Sequence, residues 1–442
     1  MVVEGWLARA AAARPDRSAL QTPQGDWSYA ELYAAALAGA GELSARGAGP
    51  GRRVAIALPA GLAFAQALHA CMLLGAVAVP VDLRLSPAER AQIADGASVV
   101  VEEPLATGST GPPAAIVSGH ALDATAAVIH TSGSTASPRQ VELTYGNFLW
   151  SAIGSAVALG LDPRERWLCA LPLSHIGGLS ILVRATNYAT TAVVHERFEV
   201  DRVLAALREQ EVTVVSLVAT TLARLLDAGL SSPPALRCAL TGGGPVPGEL
   251  VGRARAAGVP VALTYGLTET CSQVTTTPAA APDGERPTAG PSLFCTRVAI
   301  AGDGEILVQG PTVAPGAPSP DGWLHTGDLG SLDPAGRLLV DGRKADTIVS
   351  GGENVAPAEV EAVLEAHPQV LEAAVVGRPD DQWGEAVTAW VRARPGAQLD
   401  YADLMAHCAR ALAPFKLPKD YMGTDEPLPR TRSGKLLRRA LR

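Results

Sequence analysis

Cysteine, charge and long apolar runs are all scarce in this chain. Its 442 residues include 6 cysteines, and these are scattered without a C-x-x-C pair, which argues against structural zinc and a disulfide framework. Charged residues amount to 18% against 48% hydrophobic, a balance that excludes a disordered chain. The net charge of -8 and pI near 5.6 leave no basic surplus for nucleic acid or an anionic membrane, so an anionic substrate needs a local positive site. No apolar stretch reaches membrane-spanning length. The start M-V-V-E-G-W-L-A-R lacks the basic-then-apolar pattern of an export signal, so a soluble, cytoplasmic protein without integral membrane contact is expected. The Walker spacing G-x-x-x-x-G-K-[ST] is missing as well.

What the chain does have is length, turns and alternation. It exceeds what one hydrophobic core usually holds, and Gly 45 with Pro 34 implies many connections, so two or more domains are expected. Residues 3 to 13 read as a short helix. Ser28 to Glu31 and Ser86 to Glu89 have the capping-box pattern, the second with proline at the first helical position. Strand-like runs at Val54 to Leu58, Val77 to Val81, Trp167 to Ala170, Val212 to Leu217, Leu236 to Leu240 and Val261 to Leu263 alternate with helical stretches. That alternation predicts a helix-covered, mainly parallel α/β sheet. From about Thr296 the pattern changes to short strands punctuated by Gly and Asp, a β subdomain. Beyond the polar turn at 343 to 346 comes a small α+β unit. The expected division is therefore a domain over 1–342, a polar connection at 343–346 and a small domain over 347–442.

Gly-rich or polar loops follow the strand ends, where open α/β sheets bind ligands. The stretch Val128 to Arg139 leaves a buried-strand pattern for small hydroxylated residues: Thr131, Ser132, Gly133, Ser134 and Thr135, closed by Arg139. Backbone N–H groups, hydroxyls and a guanidinium suit phosphate, although a flexible Ser/Thr turn has the same composition.

T-S-G-S-T-A-S-P-R at 131 to 139, Y-G-L-T-E at 265 to 269, W-L-H-T-G-D at 323 to 328, G-R-K-A-D at 342 to 346 and P-R-T-R-S-G-K at 429 to 435 resemble, in order, the motifs of one family. It is the adenylate-forming acyl-CoA synthetases, which also include aryl-CoA ligases and luciferases. The resemblance covers essentially the whole chain. Longer matches at 166 to 180, 240 to 247, 265 to 273 and 350 to 354 look most like the o-succinylbenzoyl-CoA synthetase branch, which serves menaquinone biosynthesis. Two positions depart from the family pattern: Ala136 stands where glycine is usual, and Arg139 where lysine is usual.

The resemblance implies ATP, Mg2+ and coenzyme A as cosubstrates and cofactor, and a small-molecule carboxylic acid as partner, with a homo-oligomer among the forms the sequence allows. It implies nucleotide contacts from Thr131, Ser132, Gly133, Ser134, Thr135, Arg139, Gly242, Gly243, Gly244, Tyr265, Gly266, Thr268, Asp328 and Arg343. Glu269 would bind the metal, Lys435 would act in adenylation, and His175 would sit in the acyl pocket. Ala345 at the hinge, with Gly351 and Gly352, would serve the coenzyme A step. Arg184, a cation in the apolar helix L-S-I-L-V-R-A-T, needs a partner. That partner is a neighbouring acid, a carbonyl, or the second carboxylate of a diacid substrate. The implied activity is AMP-forming ligation of o-succinylbenzoate to coenzyme A. A ligase for another aryl or medium-chain acid, and a non-catalytic adenylate-binding protein, remain as alternatives.

Overall fold

The computed structural model describes residues 1–108, 115–131, 139–279, 287–350, 353–380, 383–430 and 436–442. Two sheets dominate its N-terminal part. One has eight strands ordered Ser272–Thr276, Val261–Leu267, Cys238–Thr241, Val214–Leu217, Arg166–Cys169, Thr191–Val194, Ser18–Thr22 and Gly25–Ser28. Its inner pairings are parallel, and each outermost strand is antiparallel to its neighbour. The second has five strands, Val99–Val101, Arg53–Ile56, Val77–Pro80, Thr125–Thr131 and Arg139–Thr144, again parallel until the antiparallel last pair.

Helices Tyr29–Ala45, Leu62–Leu74, Tyr145–Leu159 and Ile176–Tyr188 supply much of the main core. The helix Tyr29–Ala45 is Ala-rich for a packing reason: Ala36 and Ala40 are fully buried, and a Cβ on Gly39 would come within 3.1 Å of Leu105 and 3.3 Å of Gln66. Larger residues on this face would force the neighbouring layer apart. Both capping boxes form, Ser28 with Glu31 and Ser86 with Glu89. Local sequence alone dictates them.

A four-stranded antiparallel sheet follows, Arg297–Ile300, Glu305–Gln309, Leu324–Leu332 and Leu338–Arg343. The C-terminal unit has its own core, with Val360, Leu364, Val375, Val387 and Leu404 at 0% exposure. Its sheet pairs Val370–Asp380 with Gly384–Ala393, flanked by Ile348–Ser350, Glu353–Val355 and Asp420–Gly423.

The expected helix over residues 3 to 13 is corrected. Val2–Glu4 is a strand antiparallel to Gly119–Ala121, and the helix begins only at Trp6. The β-branched pair Val2-Val3 finds an edge to pair with, and Gly5 separates the two conformations. Among the described residues no helix is long and apolar enough to cross a membrane. All 6 cysteines are free and buried.

Candidate active site

The parallel strands of the large sheet all end on one edge, and loops from that edge carry the motif residues. Gly242–Gly244 leave the strand Cys238–Thr241, Tyr265 and Gly266 lie at the end of the next strand, Val261–Leu267, with Thr268 and Glu269 in the turn after it, and 170 to 175 leave Arg166–Cys169. Gly242 must lack a side chain, since a Cβ there would lie 2.5 Å from the Thr264 carbonyl oxygen. Gly243 has φ 79, so this turn is bare backbone for steric reasons.

Asp328 is the centre of the best-defined cluster. Its residue is 5% exposed. The Tyr265 hydroxyl donates to Oδ2 at 2.8 Å, and Arg343 Nε lies 2.8 Å from Oδ1. Arg343 Nη1 also donates to the Thr326 carbonyl at 3.2 Å, which fixes the guanidinium against the strand Leu324–Leu332. Burial, and next the Asp328 charge, push the Tyr265 phenol well above its ordinary range, so it stays a donor at any working pH. Carboxylate oxygens only accept, which suits the two vicinal hydroxyls of a sugar.

Glu269 lies in the short 3-10 turn Thr268–Thr270, with Arg139 Nη1 3.9 Å from its Oε1. Arg139 opens the strand Arg139–Thr144, which runs antiparallel to Thr125–Thr131. Thr131 and Arg139 are register partners across that hairpin, with Thr131 Oγ1 donating to the Arg139 carbonyl at 3.4 Å. The residues between them, including Ser132, Gly133, Ser134, Thr135 and Ala136, lie outside the described residues. So do Gly351, Gly352 and Lys435. No group of three or more His, Cys, Asp or Glu side chains among the described residues could cage a metal. A lone carboxylate fits Mg2+ nonetheless, because this ion uses one or two carboxylates, water and substrate phosphates.

His175 is the N-cap residue of the helix Ile176–Tyr188 and makes no capping hydrogen bond. Its Nε2 lies 3.1 Å from Arg84 Nη2 and 3.8 Å from Asp82 Oδ2. Arginine only donates, so this contact has Nε2 as its acceptor. Burial alone would raise the Asp82 carboxyl, but hydrogen bonds from the Arg84 side chain and backbone hold it below the ordinary range. Asp82 and Arg84 were not among the residues singled out from sequence. Their signal was there, two charges just past the strand Val77–Pro80.

Arg184 is 2% exposed. Its partner is neither an acid nor a carbonyl: Nη2 donates to Ser151 Oγ at 3.0 Å, and the guanidinium carbon sits 5.5 Å from the centre of the Trp167 ring. No carboxylate lies within ion-pair distance of it among the described residues. Burial lowers its pKa, though an arginine stays charged.

At the polar turn, Lys344 Nζ reaches Asp303 at 2.6 Å, in the turn before the strand Glu305–Gln309, and Glu305 at 3.2 Å, on that strand. Asp346 is held instead by Arg438 at 3.0 Å, which also pairs with Glu361 at 2.7 Å in the C-terminal unit. Ala345 lies between the two anchors.

Comparison with known proteins matches residues 7–102 and 103–316 to the AMP-binding enzyme family and residues 359–435 to the AMP-binding enzyme C-terminal domain. The chain belongs to the AMP-binding enzymes. A 2-succinylbenzoate–CoA ligase of Bacillus subtilis (strain 168) is 39% identical over 99% of this chain and 97% of its own length. Among solved AMP-binding enzymes, o-succinylbenzoate CoA synthetase (MenE) from Bacillus subtilis in complex with the acyl-adenylate intermediate OSB-AMP superposes with a TM-score of 0.92. That structure is 38% identical, covering 100% of this chain and 98% of the other. The same protein in complex with ATP and magnesium ion gives 0.92 and 38%, covering 100% of both.

Proposed function

We propose that this AMP-binding enzyme ligates o-succinylbenzoate to coenzyme A in two steps. A carboxylate oxygen of the acid attacks the α-phosphorus of ATP, and pyrophosphate leaves with the electron pair of the broken P–O bond. The thiol of coenzyme A, giving up its proton, then attacks the acyl carbon, and AMP leaves. The observation that carries the choice of acid is Arg184, a buried cation with no carboxylate partner among the described residues, on the helix that His175 begins. A monocarboxylate would leave it unmatched, whereas a diacid brings the missing charge. The resemblance to the Bacillus subtilis ligase supports the same acid.

In this reading Asp328 accepts the ribose hydroxyls while Tyr265 and Arg343 hold its carboxylate still. Gly242, Gly243, Gly244 and Gly266 let the adenine approach bare backbone. Thr131, Ser132, Gly133, Ser134, Thr135, Thr268 and Arg139 face the phosphates, and His175 lines the acyl pocket. Glu269 would hold Mg2+, which when bound neutralises charge on the phosphates. Lys435 supplies positive charge in adenylation. The C-terminal unit turns as a lid about Ala345, exchanging Lys435 for the Gly351 and Gly352 side of the lid before the thiol step. The cytoplasm, where ATP and coenzyme A are both at hand, is the compartment this proposal implies.

Pyrophosphate release measured across a panel of acids tests the proposal. o-Succinylbenzoate should give the highest kcat/KM, with monocarboxylate analogues well below it. Equal rates across the panel refute the choice of acid, and no release with any acid refutes the ligase.

A further inference from the structure

Just after Glu269 the backbone leaves the ordinary region at two consecutive residues, neither of them glycine. Cys271 has φ 51 and Ser272 φ 93. Such strain persists only where the surroundings impose it. Part of the restraint is internal: Cys271 N–H donates to the Thr268 carbonyl at 3.0 Å, and the Thr270 hydroxyl donates to Leu267 O at 3.0 Å while accepting from Leu267 N–H at 2.9 Å. Gly266 lies so close that a Cβ there would sit 1.6 Å from the Ser272 carbonyl oxygen. Two contacts come from outside. Ala314 N–H donates to Glu269 O at 2.8 Å, and Ser151, on the helix Tyr145–Leu159, donates Oγ–H to the Cys271 carbonyl at 2.6 Å.

Ser151 is 1% exposed, so no water competes for its proton. Its hydroxyl has one proton, given to Cys271 O, and accepts from the Arg184 guanidinium on the other side. A charged donor polarises that hydroxyl and strengthens its outgoing bond. Trp167, whose ring lies 5.5 Å from the guanidinium, packs against Arg184 in turn. A rigid chain thus runs from the core to the strained residue two positions beyond Glu269.

We infer that Ser151 is a positioning residue for the metal-binding carboxylate, holding the strained turn 271–272 and through it the direction of Glu269. This rests on the reading of Glu269 as the metal ligand. Groups that orient a ligand typically change metal affinity by about 10- to 100-fold when removed.

The test is a titration of the full-length protein with Mn2+ in the presence of α,β-methylene-ATP, followed by the loss of the free-ion EPR signal. Ser151→Ala should weaken Mn2+ binding about tenfold while leaving affinity for the analogue measured in EDTA unchanged. Ser151→Cys, close in shape but a weaker donor, should fall between and serves if the alanine variant folds poorly. Ser272→Gly placed on Ser151→Ala should restore most of the affinity, because glycine adopts φ near 90 without strain. Glu269→Gln separates the two readings. If it binds Mn2+ like the parent, the ligand assignment fails and the inference falls with it. If it weakens binding while Ser151→Ala does not, Ser151 alone is misassigned. A Ser151→Ala loss that Ser272→Gly leaves untouched also overturns the inference, since the hydroxyl would then act by something other than holding the turn.

Discussion

Arg184→Leu should separate function from stability in opposite directions. Among the described residues the arginine side chain makes one hydrogen bond, to Ser151 at 3.0 Å, and one stacking contact, with Trp167 at 5.5 Å. A charged hydrogen bond is worth about 1.5 to 3 kcal/mol and a desolvated cation–π contact about 2. Against these stands a guanidinium taken out of water with no counter-charge, at several kcal/mol, and the gain of about 2 kcal/mol from burying leucine instead. The terms nearly cancel, so the chemical-denaturation midpoint of the N-terminal domain should move by no more than about 1 kcal/mol equivalent. An arginine held in a buried ion pair would cost about 3 to 5 kcal/mol on the same substitution. Activity should respond otherwise: losing a charge-assisted contact to the distal carboxylate raises KM for o-succinylbenzoate by about ten- to a hundredfold. A monocarboxylate analogue should change much less. The reasoning is refuted if the variant is destabilised by more than about 3 kcal/mol while the ratio of kcat/KM between diacid and monoacid stays parental. Arg184 would then be a structural element of the core, and another group would meet the second carboxylate.

Asp328→Asn keeps the shape but swaps one acceptor oxygen for a donor, facing either the Tyr265 hydroxyl or Arg343. KM for ATP should rise at least about tenfold by the loss of a charged acceptor, and steady-state kinetics with deoxy-ATP, which lacks one hydroxyl, should show a smaller effect of the substitution. Lys435→Ala should abolish acid-dependent pyrophosphate exchange but still convert supplied acyl-adenylate and coenzyme A to thioester; equal loss of both half-reactions counts against the lid reading. Ala345→Pro, between the anchored Lys344 and Asp346, should slow thioester formation more than adenylation, and unchanged half-reactions would move the pivot elsewhere. Glu365 is the group for a pH test. Burial raises its carboxyl to about 7 from 4.5, so the folded C-terminal unit holds a proton that the unfolded chain releases, and stability falls as pH rises from about 4.5 to 7. Glu365→Gln should therefore raise the stability of the C-terminal unit at pH 8, by at most about 3 kcal/mol, and leave it unchanged near pH 4. An equal effect at both pH values would show that the carboxyl is not titrating in that window.

What was legible in the sequence was local or periodic. Capping boxes at Ser28 and Ser86 involve residues three apart, and both form. The strand Arg139–Thr144 was not legible: R-Q-V-E-L-T alternates, but over so few residues that its pairing with Thr125–Thr131 decides its conformation. The strands Ser18–Thr22 and Thr191–Val194 escaped for a related reason, since each is stabilised by the other across the fold. In the site, backbone-dictated features such as the Gly242 turn could be read directly. The neighbours of side chains could not. Nothing along the chain places Ser151 beside Arg184 or Arg84 beside His175, because those contacts join elements that meet only by packing. The Arg184 partner shows this most sharply: sequence posed the question of a buried charge, and only three-dimensional packing supplied a serine and a tryptophan.

The pairing of Ser18–Thr22 with Thr191–Val194 also bears on how the chain comes to be folded at all. The strand Ser18–Thr22 emerges from the ribosome early, yet its place in the large sheet does not exist until the segment around Val193 has followed. At about 5 to 20 residues per second, that interval is on the order of ten to thirty seconds. Val2–Glu4 waits similarly for Gly119–Ala121. During translation the early strands are exposed edges with hydrophobic faces, a state prone to pairing with the wrong partner. The hairpin Ser18–Ser28 gives Leu20 a provisional neighbour, Trp27, in the meantime, and yield in cells should depend on chaperone supply more steeply than equilibrium stability would suggest.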